Sequence, residues 1–345
     1  MLYVTTRNNL ETYTAHRALT ENRGPDGGFY VPFRLPQFDK AQIESLVKRP
    51  FSQCVADTLN LFFSCRLTAF DVDFCIGRCP VRLVMMSHRI MLGETWHNLQ
   101  WDFDRMVKQL YMKVTGQEEA VPTDWFRIAL RIGVLFGFFG KLMRKEIGSV
   151  RSSVDLAVLS GDFSAPMAAW YARNMGLPIG NIICCCNENN GPWELLHHGE
   201  IRTNNVAMET TTPDGDYAVP PDLERFVHGC GGHREALRFL ECCRLGRMYI
   251  PSDLAYEQMQ NGMYVSVIGQ VRGTSAIPNI YRTHDQILDP YGALIYSGLL
   301  DYRAKTGESR GALILCEKGA AGNPELVAAA MGITVSELGK KLDMT

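Results

Sequence analysis

The spacing of apolar and polar positions changes character several times along the chain. Leu2 to Thr6 reads as a strand, and a helix-like run follows to about Asn22. Gly24-Pro25-Asp26-Gly27-Gly28 is turn chemistry, because glycine supplies the positive φ of a tight turn, and Phe29-Tyr30-Val31-Pro32 reads as a short extended segment. From Asp39 the apolar positions recur at three and four residues, which predicts helices over Ala41 to Val47 and Phe51 to Phe63. Strands are expected at Pro80 to Met86 and Ile90 to Trp96, and a helix at Phe103 to Val114. The polar stretch Thr115 to Thr123 reads as a linker. It precedes a long amphipathic helix, Asp124 to Arg144, with Asp124 as the expected N-cap.

The second half is organised differently. Strand Asp155 to Leu159, loop Ser160-Gly161-Asp162-Phe163-Ser164, helix Ala165 to Met175 and strand Asn181 to Cys186 form a βαβ unit. Such a unit calls for a parallel sheet covered by helices, so the fold class is α/β. Two further helices are expected before a late strand, Met263 to Ile268. Helix Tyr291 to Lys305, strand Ala312 to Cys316 and helix Pro324 to Met331 then finish the chain. There is no internal repeat and no low-complexity tract.

Composition narrows the function classes. With 345 residues, 46% of them hydrophobic, the chain has apolar surface for one large core or two smaller ones. A net charge of -2 and the lack of a basic run exclude a nucleic-acid partner. The most apolar stretch, Ile128 to Phe139, contains Arg131 and is too short to span a bilayer, so no membrane association is expected. Met1 to Arg7 lacks the apolar core of a signal peptide, which makes the cytoplasm the expected compartment. Eleven cysteines include the run Cys184-Cys185-Cys186, which reads as a buried strand. Cys75 with Cys79, Cys242 with Cys243, and Cys230 with His233 do not reproduce paired zinc-site spacing, so no metal is expected.

Four segments carry a resemblance. Asp26-Gly27-Gly28-Phe29-Tyr30-Val31-Pro32 forms an Asp-Gly-Gly-hydrophobic-aromatic-Val-Pro turn, and Glu94-Thr95-Trp96-His97 is similar to a Glu-Leu-Phe-His sequence. Asp124-Trp125 opens a helix; beyond it come Tyr171-Ala172-Arg173-Asn174-Met175-Gly176-Leu177-Pro178-Ile179 and Asn187-Glu188-Asn189. Leu288-Asp289-Pro290-Tyr291-Gly292-Ala293 is similar to a Leu-Asp-Pro-His-Thr-Ala helix start. In this order, and over nearly the whole chain, these segments resemble the threonine synthases. That resemblance implies a pyridoxal-phosphate (PLP) fold of type II and a lyase of amino-acid metabolism. Such an enzyme turns O-phosphohomoserine and water into threonine and phosphate. It also implies a Schiff-base lysine, a Gly-rich phosphate loop and a hydroxyl facing the pyridine nitrogen.

The departures from that pattern set the functional expectation. With His97 on the motif histidine, Asp104 stands where the resemblance implies the lysine, and a carboxylate has no amine with which to form an imine. Lys108, one helical turn further, is a displaced alternative. Ser160-Gly161-Asp162-Phe163-Ser164 replaces the family's Ser-Gly-Asn-Phe-Gly phosphate loop, adding a charge and losing a glycine. Cys316 and Glu317 stand where the resemblance implies the pyridine partner. Residues 1–85 correspond to the family's N-terminal region and 86–345 to its large domain. The small domain that covers the cofactor is missing, replaced by a short linker near 115–123. The sequence thus leads to a degenerate, truncated member, a pseudoenzyme with no cofactor expected. It would serve as a scaffold for an amino acid or phosphorylated metabolite, or as a subunit of a homo-oligomer or of a complex with a partner protein. The alternative is a divergent PLP-dependent lyase, and a weaker one is cofactor-free acid–base chemistry by Glu94, His97, Asp102 and Asp104. An apolar face on the Trp125 to Phe139 helix, uncovered by the missing domain, would mark the partner surface.

Overall fold

The computed structural model describes residues 1–77, 81–87, 89–95, 102–144 and 153–342. Strand β1 (Leu2–Thr5) lies between β2 (Tyr13–Thr14) and β3 (Tyr30–Pro32), antiparallel to both. The helix-like run to Asn22 therefore contains a strand and only a short helix, α1 (Ala15–Thr20). The reason is local polar chemistry. The Asn8 amide oxygen accepts from the Leu10 N–H at 2.9 Å, which fixes a turn, and the Thr14 hydroxyl caps α1 by accepting from the Arg17 N–H. Helices α2 (Lys40–Val47) and α3 (Phe51–Phe63) follow as expected, α2 opened by a reciprocal Asp39/Gln42 capping box. Helix α4 (Ala69–Ile76) is additional to the expected elements, although Thr68 and Asp71 form a capping box that announces it.

Beyond it come β4 (Arg82–Ser87), β5 (Ile90–Glu94), α5 (Phe103–Thr115) and α6 (Asp124–Arg144). The cap of α6 is Thr123, whose hydroxyl accepts from the Phe126 N–H at 3.2 Å, while Asp124 is already helical. The βαβ unit is present as β6 (Val154–Leu159), α7 (Ser164–Asn174) and β7 (Ile179–Cys186). After α8 (Gly191–His198), the short strand β8 (Ile201–Arg202) pairs with β9 (Met248–Tyr249) across helix α9 (Leu223–Leu245). Helix α10 (Asp253–Gln260) and strand β10 (Met263–Val267) follow, so three helices stand in place of the expected two. Helices α11 (Gln270–His284) and α12 (Pro290–Thr306), strand β11 (Ala312–Cys316), and helices α13 (Pro324–Met331) and α14 (Val335–Leu342) end the described chain. Both α11 and α14 are additional, because Pro278 interrupts the first pattern and α14 is largely exposed.

The main sheet has the order β10-β7-β6-β11-β5-β4. Its first five strands are parallel neighbours, and β4 is added antiparallel at the edge. This is the expected α/β sheet flanked by helices. One core lies between the sheet and α6 and α7, and continues through α2 and α3; the other lies under α11, α12 and α13. Strand β4 straddles residue 85 and α3 packs along α6, so the N-terminal region and the sheet share a single core. Trp125, Phe126, Phe136, Phe138 and Phe139 are all buried there. The aromatic face of α6 is core, and the apolar partner patch anticipated on this helix is absent.

Close helix packing depends on small residues. A Cβ on Gly140 of α6 would overlap the carbonyl oxygen of Val47, backbone that cannot swing aside. Gly140→Ala is expected to lower unfolding free energy by about 1–3 kcal/mol, read by urea denaturation. An unchanged midpoint would mean that α2 is free to shift.

Candidate functional site

In parallel α/β sheets, chemistry collects where strands end and chain connections diverge in opposite directions. Here β5, β6 and β11 are neighbours that end on the same side, and a cleft of about 280 Å³ opens beyond β6 and β11. Phe103 and Asp104 enter it from the start of α5, and Arg127 and Arg131 from α6. Ser160, Gly161 and Asp162 follow β6, and Glu317 and Lys318 follow β11. Asp214 and Tyr217 come from the loop before α9.

That loop is held by a polar hub at the end of β7. The Asn187 amide donates to the Thr210 hydroxyl at 2.9 Å, the Thr212 hydroxyl at 3.0 Å and Asp216 Oδ1 at 2.7 Å. The Asn189 amide adds bonds to Asp216 and to the Met208 carbonyl. Asn187 and Asn189 therefore work at a distance, placing Asp214 and Tyr217 in the cleft. The Asp214 N–H donates to the Tyr291 hydroxyl at 3.3 Å. Behind Asp214 and Lys318 lies an apolar recess of about 60 Å³, lined by Val158, Leu159, Tyr291, Ile295 and Leu315.

The turn from β6 into α7 uses two left-handed residues, Gly161 (φ 47°) and Phe163 (φ 72°). It directs Asp162 back over the helix end. Asp162 Oδ1 accepts from the Ser164 N–H at 2.9 Å and from the Ser164 hydroxyl. An internal carboxylate thus holds the Ser164 N–H, one of the donors that a helix N-terminus otherwise offers to an external anion. Pro166, in the first turn, brings no N–H.

Arg131 is the central cation. Its Nε donates to Glu317 Oε1 at 2.6 Å, its Nη2 to Glu317 Oε2 at 2.8 Å and its Nη1 to the Ser164 hydroxyl at 2.9 Å. The guanidinium also stacks over Phe103, 4.4 Å from the ring centroid. Burial disfavours its charge, but Glu317, followed by Asp162 and Asp104, outweighs that and holds it firmly cationic. Burial likewise opposes ionisation of Asp104, yet the Arg127 guanidinium paired with it keeps the carboxyl below its usual value. Lys318 is paired with Asp214, which overcomes partial burial and raises the ammonium above its ordinary value.

Of the site residues expected from sequence, Asp104, Gly161, Asp162 and Glu317 converge on the cleft, with Ser164 bonded to its wall. Phe163 instead packs on Phe226, with ring centroids 5.5 Å apart. Cys316 belongs to the core on the opposite face of the sheet, and burial pushes its thiol well up. Alternation along β11 separates it from its neighbour, so that of the two only Glu317 lines the cleft. Lys108 is exposed on α5 and takes no part in the wall, so it is not brought to the site. His97 lies outside the described residues. Glu94 is buried and bonded to Arg82 at 2.8 Å, and Asp102 caps α5 by accepting from the Arg105 N–H. Neither Glu94 nor Asp102 lines the cleft. Among the described residues no group of three or more His, Cys, Asp or Glu is arranged to hold a metal, and no helix is long and apolar enough to cross a membrane.

Arg127, Arg131, Asp214, Tyr217 and Lys318 join the site without having been expected there. Arg131 has a signal in the sequence: the one charged residue in the apolar run Ile128 to Phe139 must find a buried partner. Nothing in the sequence marks Asp214 and Tyr217, whose placement depends on the distant hub.

Comparison with known proteins supports the fold. The family model described as Threonine synthase N terminus matches residues 2–79. Threonine synthase of Pseudomonas aeruginosa is 26% identical over 243 residues, covering 65% of this chain and 50% of that protein. Threonine synthase-like 1 of Homo sapiens is 27% identical over 176 residues, covering 50% of this chain and 23% of that protein. The chain thus spans half or less of the length of these relatives. The structure of PLP-bound threonine synthase from Brucella melitensis superimposes with a TM-score of 0.83 at 17% identity, covering 99% of this chain and 94% of that one. The yeast threonine synthase structure gives 0.82 at 15%, with the same coverage. At such identities these structures speak for the fold.

Asp289, beside the cleft, caps α12 by accepting from the Gly292 N–H at 2.7 Å, and burial pushes its carboxyl up to about 7. The unfolded value is about 3.9. The folded chain therefore keeps a proton there that the unfolded chain releases above about pH 4. This stabilisation is complete at lower pH and is lost as pH rises toward 7. Asp289→Asn, which retains the capping oxygen, should flatten that decline in urea-unfolding free energy between pH 4 and 8. A constant difference between the two proteins across this range would mean that Asp289 ionises alike in both states.

Proposed function

We propose that this chain, a member of the threonine synthase family, has given up PLP chemistry and uses the inherited cleft to bind a small polar molecule. What supports the proposal is the identity of the cleft groups at the positions where the resemblance to the family puts the cofactor contacts. Asp104, at the position of the imine-forming lysine, is at the cleft wall in an ion pair with Arg127. The α7 end, at the position of the phosphate loop, is held by the Asp162 carboxylate, and the cation beside it is held by Glu317. PLP needs an amine for its aldehyde, free donors for its phosphate and room for both charges. These residues do not fit those needs, and no chemistry of this cleft runs through PLP. On the same reading, residues 1–85 are the family's N-terminal region, 86–345 its large domain, and residues near 115–123 stand in place of the small domain. A role as partner subunit has less support, since the aromatic face of α6 is core.

One observation favours a second reading, a divergent PLP-dependent lyase acting on O-phosphohomoserine or a related amino acid. Lys318 is a lysine that does line the cleft, whereas Lys108 does not. Its ammonium is held by Asp214 and its affinity for a proton is raised, which opposes imine formation.

The test is the visible spectrum of the protein with added PLP, before and after borohydride. The proposal expects no imine band and no reduced adduct. A band fixed by reduction would refute it, and an adduct on Lys318 would establish the second reading.

A further inference from the structure

We infer that the cleft selects a small primary amine that carries a short apolar substituent and no phosphate, with Asp162 as the residue that makes the selection. This deepens the reading of the cleft as a binding site and rests on it.

Charge gives the first reason. Among the described residues, four carboxylates, Asp104, Asp162, Asp214 and Glu317, face three cations, Arg127, Arg131 and Lys318. Each cation is paired with a different carboxylate of the wall: Arg127 with Asp104, Arg131 with Glu317 and Lys318 with Asp214. Asp162 is the carboxylate left over. Among the described residues its side chain accepts from Ser164 alone, through two neutral donors. A carboxylate has about four lone-pair sites, so acceptor capacity remains for a ligand's ammonium, which brings three donors. The formal surplus of one negative charge, in a cleft walled partly by protein, attracts a cation and repels a phosphate.

The donors give the second reason. An anion seeking the α7 end would meet the Asp162 carboxylate already bonded to the Ser164 N–H. An anion seeking Arg131 would have to displace both oxygens of Glu317. Such a bidentate carboxylate pair is among the stronger hydrogen-bonded arrangements available to arginine. The recess supplies the remaining selectivity. Its lining by Val158, Leu159, Ile295 and Leu315 suits a short aliphatic group, and the adjoining cleft holds the charged end.

The experiment titrates the protein with isobutylamine, methylamine and inorganic phosphate, following ligand-observed NMR and thermal stability. Isobutylamine should bind more tightly than methylamine, and phosphate should neither bind nor stabilise. Asp162→Asn keeps an oxygen for the Ser164 N–H and should weaken isobutylamine about 10-fold, the loss of one charge-assisted bond. Thermal unfolding of the variant alone checks that it is folded, and the ranking of the three ligands on the wild type tests the inference without any variant. Phosphate binding ahead of isobutylamine, no binding of isobutylamine, or equal binding by wild type and folded Asp162→Asn would each overturn it. Those results leave the loss of PLP chemistry standing, whereas an imine band with PLP would overturn that reading and not the ranking.

Discussion

A guanidinium buried in an apolar helix is a demanding thing to fold around, and Arg131 imposes that demand on this protein. Its side chain is only 10% exposed, so its charge must be matched within hydrogen-bonding distance. Glu317, just past the last residue of β11, supplies both oxygens, and Ser164, at the first turn of α7, supplies the third acceptor. One side chain therefore fixes three elements that are far apart in sequence: α6, the β11 end and the α7 start. The floor of the cleft is the meeting point of those three elements, and its geometry follows from this requirement.

The same contacts explain how charged side chains can gather at the strand ends without disturbing the fold. The parallel sheet and its covering helices are stabilised by two apolar cores in which the charged cleft residues take no part. Substitutions at the strand ends can accumulate there as long as each new charge finds a partner. Asp104 with Arg127, Glu317 with Arg131 and Asp214 with Lys318 meet that condition. Asp162 meets it differently, by turning back on its own helix end. Function is a property of the site and not of the fold.

Elements with a strong period or unmistakable turn chemistry are legible from residues alone. Phe51–Phe63, the βαβ unit and Ala312–Cys316 fall where their patterns put them. Elements set by short-range polar contacts are harder: α4 depends on a capping box, and β2 on turns held by Asn8 and Thr14. The β8–β9 ribbon consists of two residue pairs, too few to carry a period. In the site, Asp104, Asp162 and Glu317 can be named because neighbouring motifs set their register. Cys316 stands beside Glu317 in the sequence, but strand alternation sends adjacent residues to opposite faces, and only one of them reaches the cleft. Asp214 and Tyr217 depend on a loop organised by Asn187 and Asn189, a three-dimensional relation with no local signature.

The central claim is that the cleft's cations are satisfied from within, above all Arg131 by Glu317. A double-mutant cycle with Arg131→Met and Glu317→Gln, read by urea unfolding, tests it most directly. A coupling free energy of about 1.5–3 kcal/mol is expected for a bidentate, largely buried pair. A coupling within a few tenths of zero would contradict the account, because Arg131 and Glu317 would then be independent and open to other partners.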